Sequence, residues 1–388
     1  MNVLHLFSNA KWTGPAEPAL NLCVALRRVG VNADFACAPD AGASINKVVE
    51  TARDRGIEPI LQFRLSKHRH PIKDAQDRRA LRRFLAERSY DLVHCHLDND
   101  HAIAAECARS RGIPLVRSNY EGLGFSRDAR RRRLLESASG VIEPSMPALL
   151  NDMQGLGLPR ERLAMIPSAV DTERFDPCRE VPDGRRWLGI PPDAFVVGIV
   201  ARLQTHRHYE DFFEAVRRLA DRQANVHAIV VGRGTKQQTV GLEPVKRLGL
   251  ESVVHFPGFI DGENYVGVLK AFDVKVFLTP GSDGTCRAVR EAMAMGKPAV
   301  VAHRGMLAEI VDDGLNGIVC DGSVEALAHA LGRLAADRGY RRALARAARE
   351  KALSSYSLDV QARAVCALYE RILAMQAGAH VNAPSGHV

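Results

Sequence analysis

No apolar run in this 388-residue chain approaches the roughly 18 residues that cross a bilayer; runs such as Val196 to Ala201 and Ala299 to Ala302 are far shorter. A spanning helix is excluded. The N-terminus passes from Met1 straight into Val3-Leu4-His5-Leu6-Phe7, without the basic start, apolar stretch and small-residue cleavage site of a secretory signal, so a cytoplasmic protein is expected. CxxC pairs are absent. The eight cysteines (Cys23, Cys37, Cys95, Cys107, Cys178, Cys286, Cys320, Cys366) are scattered through apolar segments, which points to neither a disulfide framework nor a zinc site, and no metal is expected. No Gly-x-Gly-x-x-Gly follows the first strand, so a Rossmann dehydrogenase is disfavoured.

What is present describes a globular protein too long for one ordinary core: 46% apolar and 25% charged residues over 388 positions predict two domains. The net charge of +8 is concentrated. Arg64 to Arg88 holds nine Lys/Arg against three Asp/Glu, and Arg127 to Arg133 holds five Arg against one Asp, which accounts for the whole surplus. In the first segment Leu81, Phe84 and Leu85 share a helical face while Arg78, Arg79, Arg82, Arg83 and Arg88 cover the rest. Such a helix fits an anionic lipid surface or an anionic acceptor; a solvated surface helix docked by its apolar stripe is the competing reading. No nucleic-acid partner is expected.

Short runs rich in Val, Ile and Leu alternate with longer helical patterns, the signature of parallel sheets built from βαβ units. The class is α/β. One series of strands is expected at Val3 to Phe7, Ala33 to Ala38, Leu92 to Cys95, Leu115 to Arg117 and Gly140 to Ile142. A second is expected at Val196 to Val200, His227 to Val231, Val253 to Phe256, Val274 to Phe277 and Ala299 to Ala302. The stretch from Pro167 to Trp187, with three prolines and many charges, reads as the linker. The expected division is an N-terminal domain over 1–175, a C-terminal domain over 176–356, a last helix over 357–376 and a disordered tail over 377–388. A break is expected at Ser354-Ser355-Tyr356-Ser357.

The most informative stretch runs from Pro280 to Pro298. It follows an apolar strand, turns through Gly281 and Gly284 into a helix, and ends that helix at Gly296 and Pro298. Strand, loop and helix in this order aim backbone N–H groups at a ligand beyond the strand end, where the helix dipole favours a diphosphate. Asp283 in the loop and Glu291 about two turns on are separated by seven residues, so both carboxylates can reach one extended ligand, at its sugar and its ribose hydroxyls.

This segment resembles the donor-binding motif of the family 4 retaining glycosyltransferases: Glu, seven residues, Glu, then Ala-Met-Ala and Gly-x-Pro. Asp283 replaces the first Glu, one methylene shorter, while Glu291-Ala292-Met293-Ala294 and Gly296-Lys297-Pro298 match. The likeness extends along the chain through Ile166 to Phe175, where Ser168-Ala169 stands for Asn-Gly, then Gly198 to Leu203 with Arg207, Val230 to Gly234, Phe256 to Phe259, and Gly305 to Val311. It implies a GT-B fold: two Rossmann-like domains whose parallel sheets face across a cleft, and a last helix crossing back to the N-terminal domain. It implies retaining, metal-independent transfer of a hexose-type sugar from a UDP- or GDP-sugar, with no cofactor besides that substrate. The acceptor suggested by the basic N-terminal half is a lipopolysaccharide or other envelope glycan, reached from the inner membrane surface as a peripheral protein.

The resemblance assigns Arg202 and Arg207 to the diphosphate, and donor contacts to Gly14, Gly232, Phe259, Gly284, Thr285, Cys286, Arg287 and Glu291. Pro15 stands where a second glycine is usual after Gly14. Catalytic roles fall to Asp283, Arg202, Arg207, Tyr120 and His96. Tyr120 takes the place of the family's histidine, and an unassisted phenol with a pKa near 10 is a poor general base. His94 and His96 end another strand and are expected to point to opposite faces, with His96 facing the crevice or, as the equal competing reading, buried and hydrogen-bonded, so that joint metal chelation is not expected. A GT-B-type epimerase, a phosphorylase and a non-catalytic sugar-nucleotide or anionic-glycan binding protein are the alternatives.

Overall fold

The structure, a computed structural model of the chain, describes residues 1–39, 46–223, 225–279 and 283–381, with the backbone alone at 283–285 and 379–381. Two compact units emerge: Met1–Ala169 together with the chain from Leu358 onward, and Val170–Ser357. The first holds strands β1 (Asn2–Phe7), β2 (Asn32–Cys37), β3 (Leu92–Cys95), β4 (Leu115–Ser118), β5 (Gly140–Glu143) and β6 (Leu163–Met165), parallel in the order β2-β1-β3-β4-β5-β6. In the second, β7 (Phe195–Val200), β8 (Val226–Val231), β9 (Val254–Gly258), β10 (Val274–Phe277), β11 (Ala299–Ala302) and β12 (Gly317–Cys320) form the parallel sheet β12-β11-β10-β7-β8-β9. Central strands such as β10 and β11 are buried at every residue because helices cover both sheet faces, which is why they read as apolar runs, interrupted in β10 by Lys275 alone.

Each sheet has one place where successive strands are added in opposite directions. In the first it lies between β1 and β3, in the second between β7 and β10. At such a switch point the loops leaving the carboxyl ends of neighbouring strands diverge and open a crevice, the standard place for a ligand in a doubly wound sheet. The loops after β1, β3, β7 and β10 are thereby singled out by topology alone.

The long helix Leu358–Val381 belongs to the first unit. Leu358, Ala362, Val365, Tyr369 and Ile372 recur at spacings of four and three, and this stripe packs into the core that also holds the helix Ala16–Arg28. The approach is close: a Cβ on Gly140 in β5 would lie 2.7 Å from Ile372 Cδ1. Several boundaries differ from expectation. The division falls at Ala169/Val170, because Val170 donates to the Tyr356 carbonyl at 2.8 Å and Phe175 is buried in the core of the second unit. The expected break falls at the last residue of the serine-rich stretch: the preceding helix, Arg338–Tyr356, takes in Ser354, Ser355 and the buried anchor Tyr356, and the chain turns extended at Ser357 before the last helix. The last helix continues to Val381 instead of ending at 376, so 377–381 of the expected tail are helical; residues 382–388 lie outside the described residues.

Candidate functional site

In the second unit the loops after β7 and β10 are tied together where the switch point predicts a crevice: Thr279 Oγ1 donates to the His206 carbonyl at 3.0 Å. The β7 loop carries Arg202, exposed, and Arg207, on the short 3-10 turn Thr205–Arg207. His208 takes the left-handed conformation at φ 56°, allowing the sharp turn into the helix Tyr209–Ala220, and Tyr209 donates back to the Ala201 carbonyl at 2.8 Å. The next strand's loop presses on this one. A Cβ on Gly232 would sit 2.2 Å from the Ala201 oxygen, and one on Gly234 would sit 2.0 Å from the Leu203 oxygen, so both positions demand glycine. Gly232 thus serves packing that holds the arginine loop.

Arg207 is only 8% exposed, its guanidinium lies 5.8 Å from the centre of the Phe277 ring, and its Nε and Nη1 are buried without a hydrogen-bond partner. Burial lowers its pKa from the ordinary arginine value. A buried guanidinium with unmet donors is costly unless a ligand completes it, and a phosphate oxygen is the natural complement.

The helix Asp283–Ala294 starts at the carboxyl end of β10, at the same switch point. The side chains of Asp283 and Thr285 lie outside the described residues, and Gly284 is known there by backbone only. Cys286 is buried in the core, a packing position. Glu291, 4% exposed, receives Arg287 Nε on one carboxylate oxygen at 3.0 Å and the Tyr265 hydroxyl on the other at 2.5 Å. Its orientation is therefore fixed. Lys275, in the middle of β10, is fully buried, donates to the Val276 carbonyl at 3.1 Å, and is pushed by burial to a pKa of about 7 against a raising influence from Glu291. Phe259 follows the edge strand β9 and is 65% exposed.

In the first unit Gly14 lies exposed in the turn between β1 and the helix Ala16–Arg28. Asp100 fastens both switch-point loops: its carboxylate accepts from the backbone N–H of Ser8 (2.8 Å), His96 (3.1 Å) and Leu97 (2.9 Å). Beyond β4, buried Glu143 accepts from Asn119 Nδ2 at 2.7 Å, and Asn119 accepts from the Glu121 N–H at 2.8 Å. These bonds set Tyr120 between two anchored neighbours. His94 and His96, expected on opposite faces, lie on the same face, as residues two apart in an extended strand must. His96 does not open onto a crevice: it is fully buried, with Nδ1 2.6 Å from the Tyr120 hydroxyl. His5 of β1 completes a cluster of three buried imidazoles whose nitrogens lie within 4.8 Å of one another, a grouping sequence reading missed.

Comparison with known proteins gives this geometry a family. Residues 182–351 match the profile described as Glycosyl transferases group 1, and residues 13–174 match Glycosyltransferase Family 4. The chain belongs to the group 1 glycosyltransferases. A relative of this glycosyltransferase, D-inositol 3-phosphate glycosyltransferase from Corynebacterium urealyticum, is 28% identical over 74% of this chain and 73% of its own. Mannosylfructose-phosphate synthase from Agrobacterium fabrum is 30% identical over 59% of this chain and 52% of its own. Among solved structures, the Anabaena protein HepE in complex with UDP superimposes with a TM-score of 0.77 at 22% identity, covering 96% of this chain and all (100%) of HepE. That likeness establishes the GT-B fold.

The glycosyltransferase brings Arg202, Arg207 and the start of the Asp283–Ala294 helix to one switch point, and Gly14, His96 and Tyr120 to or beside the other. Tyr265 and Lys275 were not foreseen. The only available signal was a lysine inside the otherwise apolar Val274–Leu278 run. A cavity of about 430 Å³ in the first unit is lined by residues 112–115 and 137–139, which precede β4 and β5, so it sits at the amino edge of the sheet, away from the switch point.

Proposed function

We propose that this glycosyltransferase moves a hexose-type sugar from a nucleoside diphosphate sugar to an acceptor hydroxyl with retention of configuration and without a metal. The observation that carries the reading is Arg207, a buried cation with unmet N–H donors at the switch point of the second unit. The acceptor oxygen bonds to the sugar's anomeric carbon on the face from which the diphosphate departs, and the hydroxyl proton passes to the leaving phosphate. Arg207 and Arg202 meet the charge that develops there, the Asp283–Ala294 helix start supports it, and Glu291 holds the ribose hydroxyls. Asp283 and Tyr120 address the transferred sugar. UDP is the favoured nucleotide because HepE, of the same fold, has been solved with UDP and with UDP-glucose; a GDP-sugar is the other donor to be tested.

Incubation with UDP- and GDP-sugars is expected to release nucleoside diphosphate slowly, faster when acceptor is added, and Glu291→Ala is expected to lose this release. Isomerised sugar would indicate an epimerase. Binding without turnover would indicate a non-catalytic sugar-nucleotide protein.

The acceptor proposed is anionic, a phosphorylated sugar or a growing envelope glycan such as lipopolysaccharide, handled at the cytoplasmic membrane surface. Named relatives bearing phosphate in acceptor or product support this chemistry. So does the surface of the first unit. Arg130, Arg132 and Arg133 are exposed on the helix Ala129–Glu136, and exposed Leu123 is tied to the helix Met146–Gly155, which carries exposed Leu150, by Asn151 Nδ2 donating to the Leu123 carbonyl at 2.6 Å. Vesicles rich in anionic lipid are expected to bind the chain in low salt and to release it when Arg130, Arg132 and Arg133 are changed to Gln; equal sedimentation of both proteins would remove the membrane from the proposal.

A further inference from the structure

Among the described residues only one lysine is buried, and the transfer proposed above gives it no task. Lys275 is fully buried in β10, one of the two strands at the switch point of the second sheet. Its register partners on either side are Gly198 in β7 and Ala299 in β11, which offer neither a charge nor a side-chain acceptor. Residues two apart in a strand share a face, so Lys275 lies on the face of Phe277, whose ring packs in one core with Cys286, Val289 and Met293 of the helix Asp283–Ala294. The amine is thus sealed between the sheet and the helix whose start is assigned to the diphosphate.

These surroundings serve an ammonium poorly. Nζ donates to the Val276 carbonyl at 3.1 Å, its one hydrogen bond among the described residues. An ammonium carries three N–H groups, so protonation adds an unmet donor in an apolar core. Nζ lies 5.5 Å from the centre of the Phe277 ring, and the Arg207 guanidinium lies 5.8 Å from the same centre, so a protonated Lys275 would share one ring with a second cation. Glu291 is already engaged: Arg287 donates to one carboxylate oxygen and Tyr265 to the other. Arg290, on the same helix, is turned onto the Tyr356 ring, 5.1 Å from its centre.

The balance of charge points the same way. Among the described side chains of the β7 loop and the helix Asp283–Ala294, the arginines Arg202, Arg207, Arg287 and Arg290 stand against Glu291 alone. A proton on Lys275 therefore adds to a positive excess. Burial pushes Lys275 down from 10.5 to a pKa of about 7, with Glu291 opposing the fall and Arg207 adding to it.

We propose that Lys275 is the proton-accepting residue of the diphosphate site: its amine is neutral before the nucleotide binds and takes a proton from solvent when the diphosphate meets Arg207. This rests on the function proposed above, which assigns the diphosphate to Arg207. The diphosphate brings more than one negative charge, and its field reaches Lys275 through a core with little water to screen it, so the ammonium becomes the favoured form. Reciprocity follows: the proton that the ligand draws onto Lys275 tightens the ligand by the same factor. The site gains positive charge only when negative charge arrives, and no second permanent cation is buried beside Arg207. Because the proton is held with the ligand and released without it, affinity is greatest at and below pH 7 and falls as pH rises, until the bound state loses the proton as well.

Calorimetric titration of the full chain with UDP at about pH 8, in two buffers of different ionisation heat, is expected to show uptake approaching one proton per UDP bound. The dissociation constant is expected to rise by up to about tenfold per pH unit above neutrality. In Lys275→Met the uptake should disappear and the affinity should become flat over the same range. Uptake unchanged in that variant, or failure of both UDP and GDP to bind wild type, overturns the proposal. If Lys275→Met does not fold, carbon-13 NMR of lysine-labelled wild type carries the test. Two lysines should titrate well below the ordinary range: Lys275, and Lys297 at the opposite end of the helix, lowered by burial to about 8. On addition of UDP or inorganic pyrophosphate the lower midpoint is expected to move up by about one pH unit or more and the Lys297 midpoint to stay; a lower midpoint that does not move overturns the proposal. Proton uptake without turnover of any sugar nucleotide would leave Lys275 its role in nucleotide binding and remove the proposed transfer, and turnover without uptake would do the reverse.

Discussion

Arg207→Ala is expected to lower donor turnover by about two to three orders of magnitude while leaving the folded protein no less stable than before. The loss of rate follows from removing a preorganised cation from the charge that develops on the leaving diphosphate, a contribution of the size measured for single oxyanion-stabilising groups. The stability half separates a ligand-binding arginine from a structural one. Arg207 makes no hydrogen bond among the described residues through Nε or Nη1, and both atoms are buried, so truncation removes a desolvated cation without breaking a pair. Contrast Arg349, which donates to the Phe175 carbonyl and to Asp176, each at 2.8 Å; its loss would strip partners from both. Thermal melting of wild type and Arg207→Ala, each with and without UDP, checks both halves. The expected pattern is equal or higher melting for the variant alone and loss of the rise that UDP gives wild type. Early melting of the variant without ligand would make Arg207 structural. Arg207→Lys should recover only part of the rate, since an ammonium is a point charge that does not grip two phosphate oxygens in one plane.

Much of the architecture was legible because the sheets are parallel and covered on both faces. The strands Leu92–Cys95, Val274–Phe277 and Ala299–Ala302 stand where their apolar runs end, since covering helices leave no place for a polar residue except a functional or paired one. The two strands that escaped notice, Leu163–Met165 and Gly317–Cys320, are both edge strands in the sheet order. An edge strand has one bonded neighbour and partial exposure, as Leu163 buried beside Met165 exposed illustrates, so it leaves little periodic signal.

The site divides in the same way. Arg202, Arg207 and Glu291 were readable because each falls in a local strand-loop-helix pattern. The grouping of His5 with His96, 91 positions apart, was not, because only the parallel pairing of β1 with β3 brings them together. The mistaken divergence of His94 and His96 had a simpler origin: residues two apart share a face. Lys275 is the opposite case. It breaks an apolar strand visibly, but its burial against the Glu291 side of the sheet required the fold.

The same buried histidines should make the first unit acid-labile. Burial holds His5 at a pKa of about 3 and keeps His94, His96 and His101 well below the free value of 6.5, with Arg117 adding to the effect on each of the last three. Below pH 6.5 the unfolded chain takes up protons at these positions and the folded chain does not. Stability present above pH 6.5 is thus lost as pH falls toward the folded values, by about 1.4 kcal/mol per pH unit for each histidine. Buried acids act in the other direction. Asp100 is raised by burial from 3.8 to about 7 and Asp152 from 3.8 to about 6, and Glu143 is raised well above 4.5, so each holds a proton in the folded state that the unfolded chain has released. Their contribution grows as pH falls from 7 toward 4 and then stops, because below their unfolded values both states are protonated. The two sets largely offset between pH 6.5 and about 4.5, and the histidines act alone below about 4. A shallow decline followed by a steep one is the expected profile of the urea midpoint. Hydrogen exchange at pH 3.5 should show protection lost first in β1, β3 and the helix Asp98–Arg109, in or beside which these histidines lie, and retained longer in β7, β8 and β10. Native protection persisting in β1 and β3 at that pH would mean the imidazoles accept protons while buried, and the acid lability argued from their burial would fail.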